Sequence, residues 1–273
     1  MKNKPIVKQP NSPRAQENEL ERILTFMVEQ IGNRFENGVL KKLQVGTVEK
    51  FADAQTGNYA TVTMRLSNMV RRSVLRQFNN KRITAMVADV LRKSDARAQQ
   101  QLFAAVEKAI GINTKALVAR DGMTVQINAL VVETSQWVKK LRDESLEQFT
   151  NNTLFAMTKG QSLGDLMEQF KGLKEERKGH AKFLAHNQIQ NFNAVTGKIR
   201  AQKLGVKRAV WDTAGDESVR ASHIDRDGEE FDLAEGLYSS MDGKWLLPGV
   251  DYNCRCTARY ILDDEQDDAS DDV

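Results

Sequence analysis

Cysteine is scarce in this chain: two among 273 residues, both in the run Cys254-Arg255-Cys256. A pair set that close cannot staple a secreted scaffold, and a direct bond between them would be strained, so a reducing cytosol is expected. Long apolar runs are missing too. None approaches the roughly 20 residues that a bilayer span needs, so no membrane partner is expected. The N-terminus, Met1 to Arg14, carries charge but no apolar segment, which excludes a signal peptide. Proline is limited to four, and Pro5, Pro10 and Pro13 fall in the first 14 residues, where no periodicity is seen. That stretch reads as a flexible arm. Charge of one sign is not in excess either: the net value is +3, which by itself does not mark a nucleic-acid binder.

The distribution of charge says more. Lys171 to Arg208 holds ten Lys/Arg against Glu175 and Glu176, and residues 263–273 hold seven Asp/Glu and no base. The chain is polarised, with a basic helical region and an acidic end. With 40% apolar and 28% charged residues, the composition is that of a soluble protein long enough for one large or two modest domains.

Most of the chain has helical periodicity. A helix from about Ala15 carries Leu20, Ile23, Leu24, Met27, Val28 and Ile31, and Gly32 and Gly38 bracket a break. A short helix is expected within residues 39–60. From Thr61 to Asn80 the stripe is Val62, Leu66, Met69, Val70, Val74, Leu75 and Phe78. Further stripes run through Ile83 to Leu91 and Leu102 to Ile110, where Gly111 is a natural C-cap. Asn113-Thr114 caps a short helix through Ala119. A helix follows from Val125 to Phe149, with a second piece at 152–158. Ser162 and Asp165 form a capping box, and a long helix runs from about Glu175 to Leu204, ended by Gly205.

From Trp211 to Cys256 the grammar changes to turn residues and short apolar runs, the mark of a small module with a few strands and a thin core. The fold class is therefore mainly α: arm 1–14, helical domain 15–205, a small α+β, loop-rich module 206–262, and a disordered acidic tail 263–273.

In that module Trp211, Thr213, Asp216, Val219, Arg220, His223, Asp227, Gly228, Phe231, Pro248, Gly249, Asn253, Cys254, Arg255 and Cys256 stand in the order W-x-T, D-x-x-V-R-x-x-H, D-G-x-x-F, P-G-x-x-x-N-C-R-C. This combination resembles the Mu F-like phage head morphogenesis family, minor head proteins of tailed bacteriophages, over roughly residues 175–260. One departure stands out: many members carry an extra cysteine or a C-P-x-C step where this chain has Ser218 to Ser222. The resemblance implies a minor capsid protein, present in few copies, that associates with the portal and other head or scaffold proteins and helps to build a DNA-competent head. It also implies residence in the virion, and in the host cytoplasm during assembly, with no small-molecule substrate. Some relatives contact DNA, and some carry the module fused to toxin domains.

The residues allow further readings. In a strand, Cys254 and Cys256 share a face and Arg255 points away. Both thiolates could then hold one Zn²⁺, with His223 as third ligand and Asp216 or Asp251 as fourth; the alternative is two buried thiols packing as small hydrophobes. If residues 218–224 are helical, Asp216, Arg220 and His223 touch at i,i+4 and i,i+3 spacing. The network either locks the module or makes His223 the centre of a hydrolase. Arg71, Arg72 and Arg76, and then Lys198, Arg200, Lys203, Lys207 and Arg208, are either solvated helix faces or non-specific contacts to packaged DNA. The acidic tail mimics DNA, docks on a portal, or keeps the chain soluble.

Overall fold

A computed structural model of the chain describes residues 4–45, 56–114 and 122–262. It is mainly helical, with a small sheet near the C-terminus. The elements in order are β1 (Ile6–Lys8), α1 (Arg14–Phe35), a π-helical turn (Glu36–Leu40), α2 (Lys41–Val45), α3 (Thr56–Gln77), α4 (Asn80–Ile110), α5 (Thr124–Thr158), α6 (Leu163–Lys203), β2 (Arg208–Asp212), the single turn α7 (Ala221–Ile224), β3 (Glu230–Asp232), β4 (Leu237–Ser239), β5 (Lys244–Leu246) and β6 (Thr257–Ile261). The expected acidic tail lies outside the described residues, as does most of the short helix after Asn113-Thr114.

Two compact units form, and neither is one continuous stretch. The first takes Asn18–Ala88 and Val131–Ala185; the second takes Met1–Glu17, Asp89–Leu130 and His186–Val273. The linear boundary expected at residue 205 therefore does not describe the packing. Leu102 and Val106 of α4 and Ala201 of α6 lie in the same buried cluster as Trp211, Phe231, Cys254, Cys256 and Tyr260. Helical residues thus give the thin C-terminal module the core it lacks on its own.

The first unit is helical. Its centre is a cluster of phenylalanines: Phe35 stacks on Phe149 at 5.3 Å, and Phe149 meets Phe170 edge-on at 4.9 Å, a preferred aromatic geometry. Gly32, expected to break α1, sits inside it. A Cβ there would lie 2.4 Å from Lys174 Cδ, so this glycine permits close packing rather than a turn. The buried line of α3 is Thr63, Ser67, Val70 and Val74, continued by Phe78 just past its end, while Val62 and Met69 of the expected stripe are exposed. Steps of four and three residues hold a single face better than the apolar residues alone did. Thr63 is satisfied there by donating to Met157 Sδ at 3.1 Å. The pieces expected at 125–149 and 152–158 are one helix, α5.

The second unit holds the sheet. Four antiparallel strands lie in the order β1-β6-β2-β3, beside a separate β4-β5 hairpin. Helix α6 ends as its sequence requires: Gly205 adopts φ +81°, with Val206 N–H bonded to Ala201 O and Gly205 N–H to Gln202 O, a Schellman cap. That turn delivers the chain into β2, whose Trp211 pairs with Ala258 of β6. The N-terminal stretch is not an arm where it is described. Ile6, Val7 and Lys8 pair with Ile261, Tyr260 and Arg259 as an edge strand, the one place in a sheet where flanking prolines are tolerated.

Candidate metal centre

Three buried side chains converge behind β2. His223 lies on α7, and Cys254 and Cys256 lie on the segment that leads into β6. His223 Nδ1 is 3.5 Å from Cys254 Sγ and 3.6 Å from Cys256 Sγ, and the three donor atoms all lie within 4.8 Å of one another. All three residues are at most 4% exposed.

The local sequence explains the convergence. Asp216 accepts from Ser218 N–H at 3.0 Å, making a tight turn that aims the chain at α7. Arg220 is extended, so α7 starts only at Ala221. Asp227 Oδ1 accepts from Thr213 N–H at 2.8 Å, and Gly228 at φ +80° closes the turn back onto Trp211 O. In P-G-V-D-Y-N-C-R-C, Gly249 at φ +85° passes so near α6 that a Cβ would meet Ala194 Cβ at 3.0 Å. Asn253, at φ 54°, takes the left-handed turn that asparagine tolerates, and its N–H donates to Asn187 Oδ1 of α6 at 2.9 Å. The two cysteines then face inward, and Arg255 turns out to grip Asp216 with two bonds of 2.5 and 2.6 Å.

Trp211 forms the floor. It is fully buried, meets His223 edge-on at 5.5 Å and Phe231 at 6.2 Å, and carries the Arg226 guanidinium 4.9 Å from its ring centroid. Arg226 is itself buried and pairs with Asp242 at 3.3 Å. A small cavity of about 50 Å³ opens beside the cluster, lined by Ser218, Arg220, His223, Asn253, Cys254 and Cys256 among others.

The two thiols are shifted in opposite directions. A hydrogen bond from the Cys256 thiol pulls the Cys254 thiol down to about 6, against the effect of burial; the Gly249 N–H and the His223 ring act in the same direction. The same bond, with burial, pushes Cys256 up.

The expected Asp216–Arg220–His223 network does not form. With α7 starting at Ala221, the three residues lack helical spacing, and each charge has a distant partner instead. Asp216 takes Arg255; Arg220 takes Asp251 at 2.5 Å and the Tyr252 carbonyl. Asp251 also lies 3.7 Å from His223 Nε2 and 3.4 Å from Lys244 Nζ. The basic sets also divide. Arg71, Arg72 and Arg76 are exposed on α3, as are Lys203 at the end of α6 and Lys207. Arg200 is not available to a phosphate: it is 1% exposed and paired with Asp95 at 2.8 Å. Lys198 is half-buried and donates to Ala234 O, and Arg208 pairs with Glu230. Gln9, Asn187 and Arg226 were missed as holders of this module. Only Asn187 carried a sequence signal, an asparagine within the long helix expected from about Glu175 to Leu204.

No solved structure matches this chain. An uncharacterized protein of Haemophilus influenzae is 29% identical over 175 residues, covering 64% of this chain and 38% of that protein. A protein of Enterococcus faecalis named NAD(+)--arginine ADP-ribosyltransferase EFV is 24% identical over 199 residues, covering 68% of this chain and 41% of that protein. The chain thus spans about two-fifths of the length of the curated relatives it matches. The stretch that ends α5, runs the length of α6 and builds the Trp211–Cys256 module, residues 147–259, is matched by the family described as Phage Mu protein F like protein.

Proposed function

We propose that this chain is a head morphogenesis protein of a tailed bacteriophage, a minor capsid component that works at the portal vertex by binding rather than by turnover. The match over residues 147–259 carries the reading. It takes in the turns at Asp216, Asp227-Gly228, Gly249 and Asn253 and the packing around Trp211, so what is shared is a folded module and not one short motif. Its partners are the portal protein and other head or scaffold proteins, and its place is the virion, after assembly in the host cytoplasm. Packaged DNA is a non-specific partner in this reading, supported by the exposed Arg71, Arg72, Arg76, Lys203 and Lys207. A part in DNA packaging or ejection follows from the same position in the head. Among the described residues, no helix is long and apolar enough to cross a membrane.

A hydrolase centred on His223 is the weaker reading. A general base must reach its substrate, whereas this ring is 3% exposed, with one nitrogen turned to two thiols and Trp211 against its edge. The activity in the name of the Enterococcus faecalis relative belongs to that protein. The test is co-purification of the full chain with the portal protein of the same phage, at low and at high salt. Retention at both is the expected result and means a largely apolar contact. Retention only at low salt assigns the contact to the charged faces. No retention at either, with DNA held instead, overturns the portal reading in favour of a DNA-binding protein.

A further inference from the structure

We propose that His223 Nδ1, Cys254 Sγ and Cys256 Sγ bind one Zn²⁺ ion, with the fourth position open to the small cavity beside Ser218 and filled there by water. The proposal does not depend on the phage reading.

Distances carry the argument. Zinc bonds sulfur at about 2.3 Å and imidazole nitrogen at about 2.0–2.1 Å, so the N···S edge of a tetrahedral site is about 3.6 Å. The two N···S separations here are 3.5 and 3.6 Å. Two of the three edges of the cluster therefore already have the length a bound zinc requires, and the mixed imidazole and thiolate set is one that favours zinc over magnesium or calcium.

The ring's two nitrogens sort the carboxylates. Nδ1 faces the sulfurs, which leaves the proton on Nε2, and Nε2 has Asp251 at 3.7 Å as its nearest charge. Nε2 is buried and makes no hydrogen bond. A carboxylate on that side lies behind a ligating imidazole and orients it; it cannot also reach an ion at Nδ1. Asp216 is held by both Arg255 bonds. Neither aspartate anticipated as fourth ligand therefore fills the site. A cavity of about 50 Å³ has room for one water, which needs at least about 10–15 Å³. The ion takes both cysteines as thiolates, and any proton still held on sulfur leaves to solvent on loading.

In place, the ion ties α7 to the turn ahead of β6, two pieces of a module whose own core is thin. The experiment uses the full chain, purified reduced and stripped of metal, titrated with Co²⁺ and then Zn²⁺. Expected are a sulfur-to-cobalt charge-transfer band and four-coordinate d–d bands saturating at one equivalent. One equivalent of Zn²⁺ should displace them, and zinc should raise the Tm. Native chain that develops no such bands and keeps no zinc after dialysis overturns the site. The variants C256S and H223Q should each weaken binding and shift the bands; unshifted bands in H223Q would remove the histidine from the ligand set. Because either variant could unfold, S218C is made as well. It should tighten zinc binding at least about tenfold by filling the open position, and no tightening would overturn the placement of that position.

Discussion

Trp211 has more to lose than any other side chain of the sheet unit. Its ring is fully buried on β2, with His223 at its edge, Phe231 beside it and Arg226 across its face. Truncation leaves a cavity that the two flanking strands are too constrained to close, and it strands the buried Arg226 against no aromatic face. The variant W211A should lose about 3–5 kcal/mol. Urea unfolding measures this directly, and limited proteolysis should then cut within residues 206–262. A midpoint equal to that of the native chain would mean the ring is not core. Charged residues around it need a separate argument. Asp216–Arg255 is a solvent-facing pair, worth little, and it holds a turn in place more than it holds the fold together.

Among the elements, β1 shows how three residues can matter. Behind it, Gln9 is buried and spends both ends of its amide. Nε2 donates to Asn193 O of α6 at 3.1 Å, and Oε1 accepts from Ala258 N–H of β6 at 3.2 Å. Asn193 returns a bond to Pro10 O at 2.8 Å. The variant Q9M keeps the length and bulk but leaves the Ala258 N–H unpaired in the interior, at about 1–3 kcal/mol, while Asn193 O, inside α6, keeps the Thr196 hydroxyl as a donor at 3.4 Å. Thermal unfolding checks it; an unchanged Tm would mean that water enters and repairs the N–H. None of this was legible. A strand of three residues between prolines has no period to read, and its meaning comes from β6, more than 240 positions away in the chain. What could be read was local. The Gly205 and Gly111 caps and the Ser162–Asp165 box, whose reciprocal bonds are 3.1 Å each, follow from a few adjacent residues. The grouping of His223 with Cys254 and Cys256 was legible as a residue set, because only so many soft donors exist in the chain. The partners of Asp216 and Arg220 were not, since a helix was assumed where the backbone at Arg220 is extended.

At the scale of the whole molecule, a net charge of +3 conceals separate basic surfaces. Burial decides which of them can work. Arg200 is sealed in a pair with Asp95, and Lys198 is turned to a backbone carbonyl. On α3 the buried line of Thr63, Ser67, Val70 and Val74 leaves Arg71, Arg72 and Arg76 on the outward side, within six residues of one another. If packaged DNA touches this protein, those arginines are suited to the contact, which would be sequence-independent because phosphates carry no base information. Counterion release then sets the scale: each phosphate contact contributes about 0.9 to the slope of log K against log salt. The triple variant R71E/R72E/R76E should lower that slope by up to about 3 and weaken binding equally on unrelated duplexes. It should unfold at the native temperature, since none of the three side chains is buried. Fluorescence anisotropy on two duplexes of different sequence, repeated across a salt series, measures both quantities. A slope equal to that of the native chain would move the DNA contact off α3, leaving Lys203 and Lys207 beside the sheet as the surface to test next.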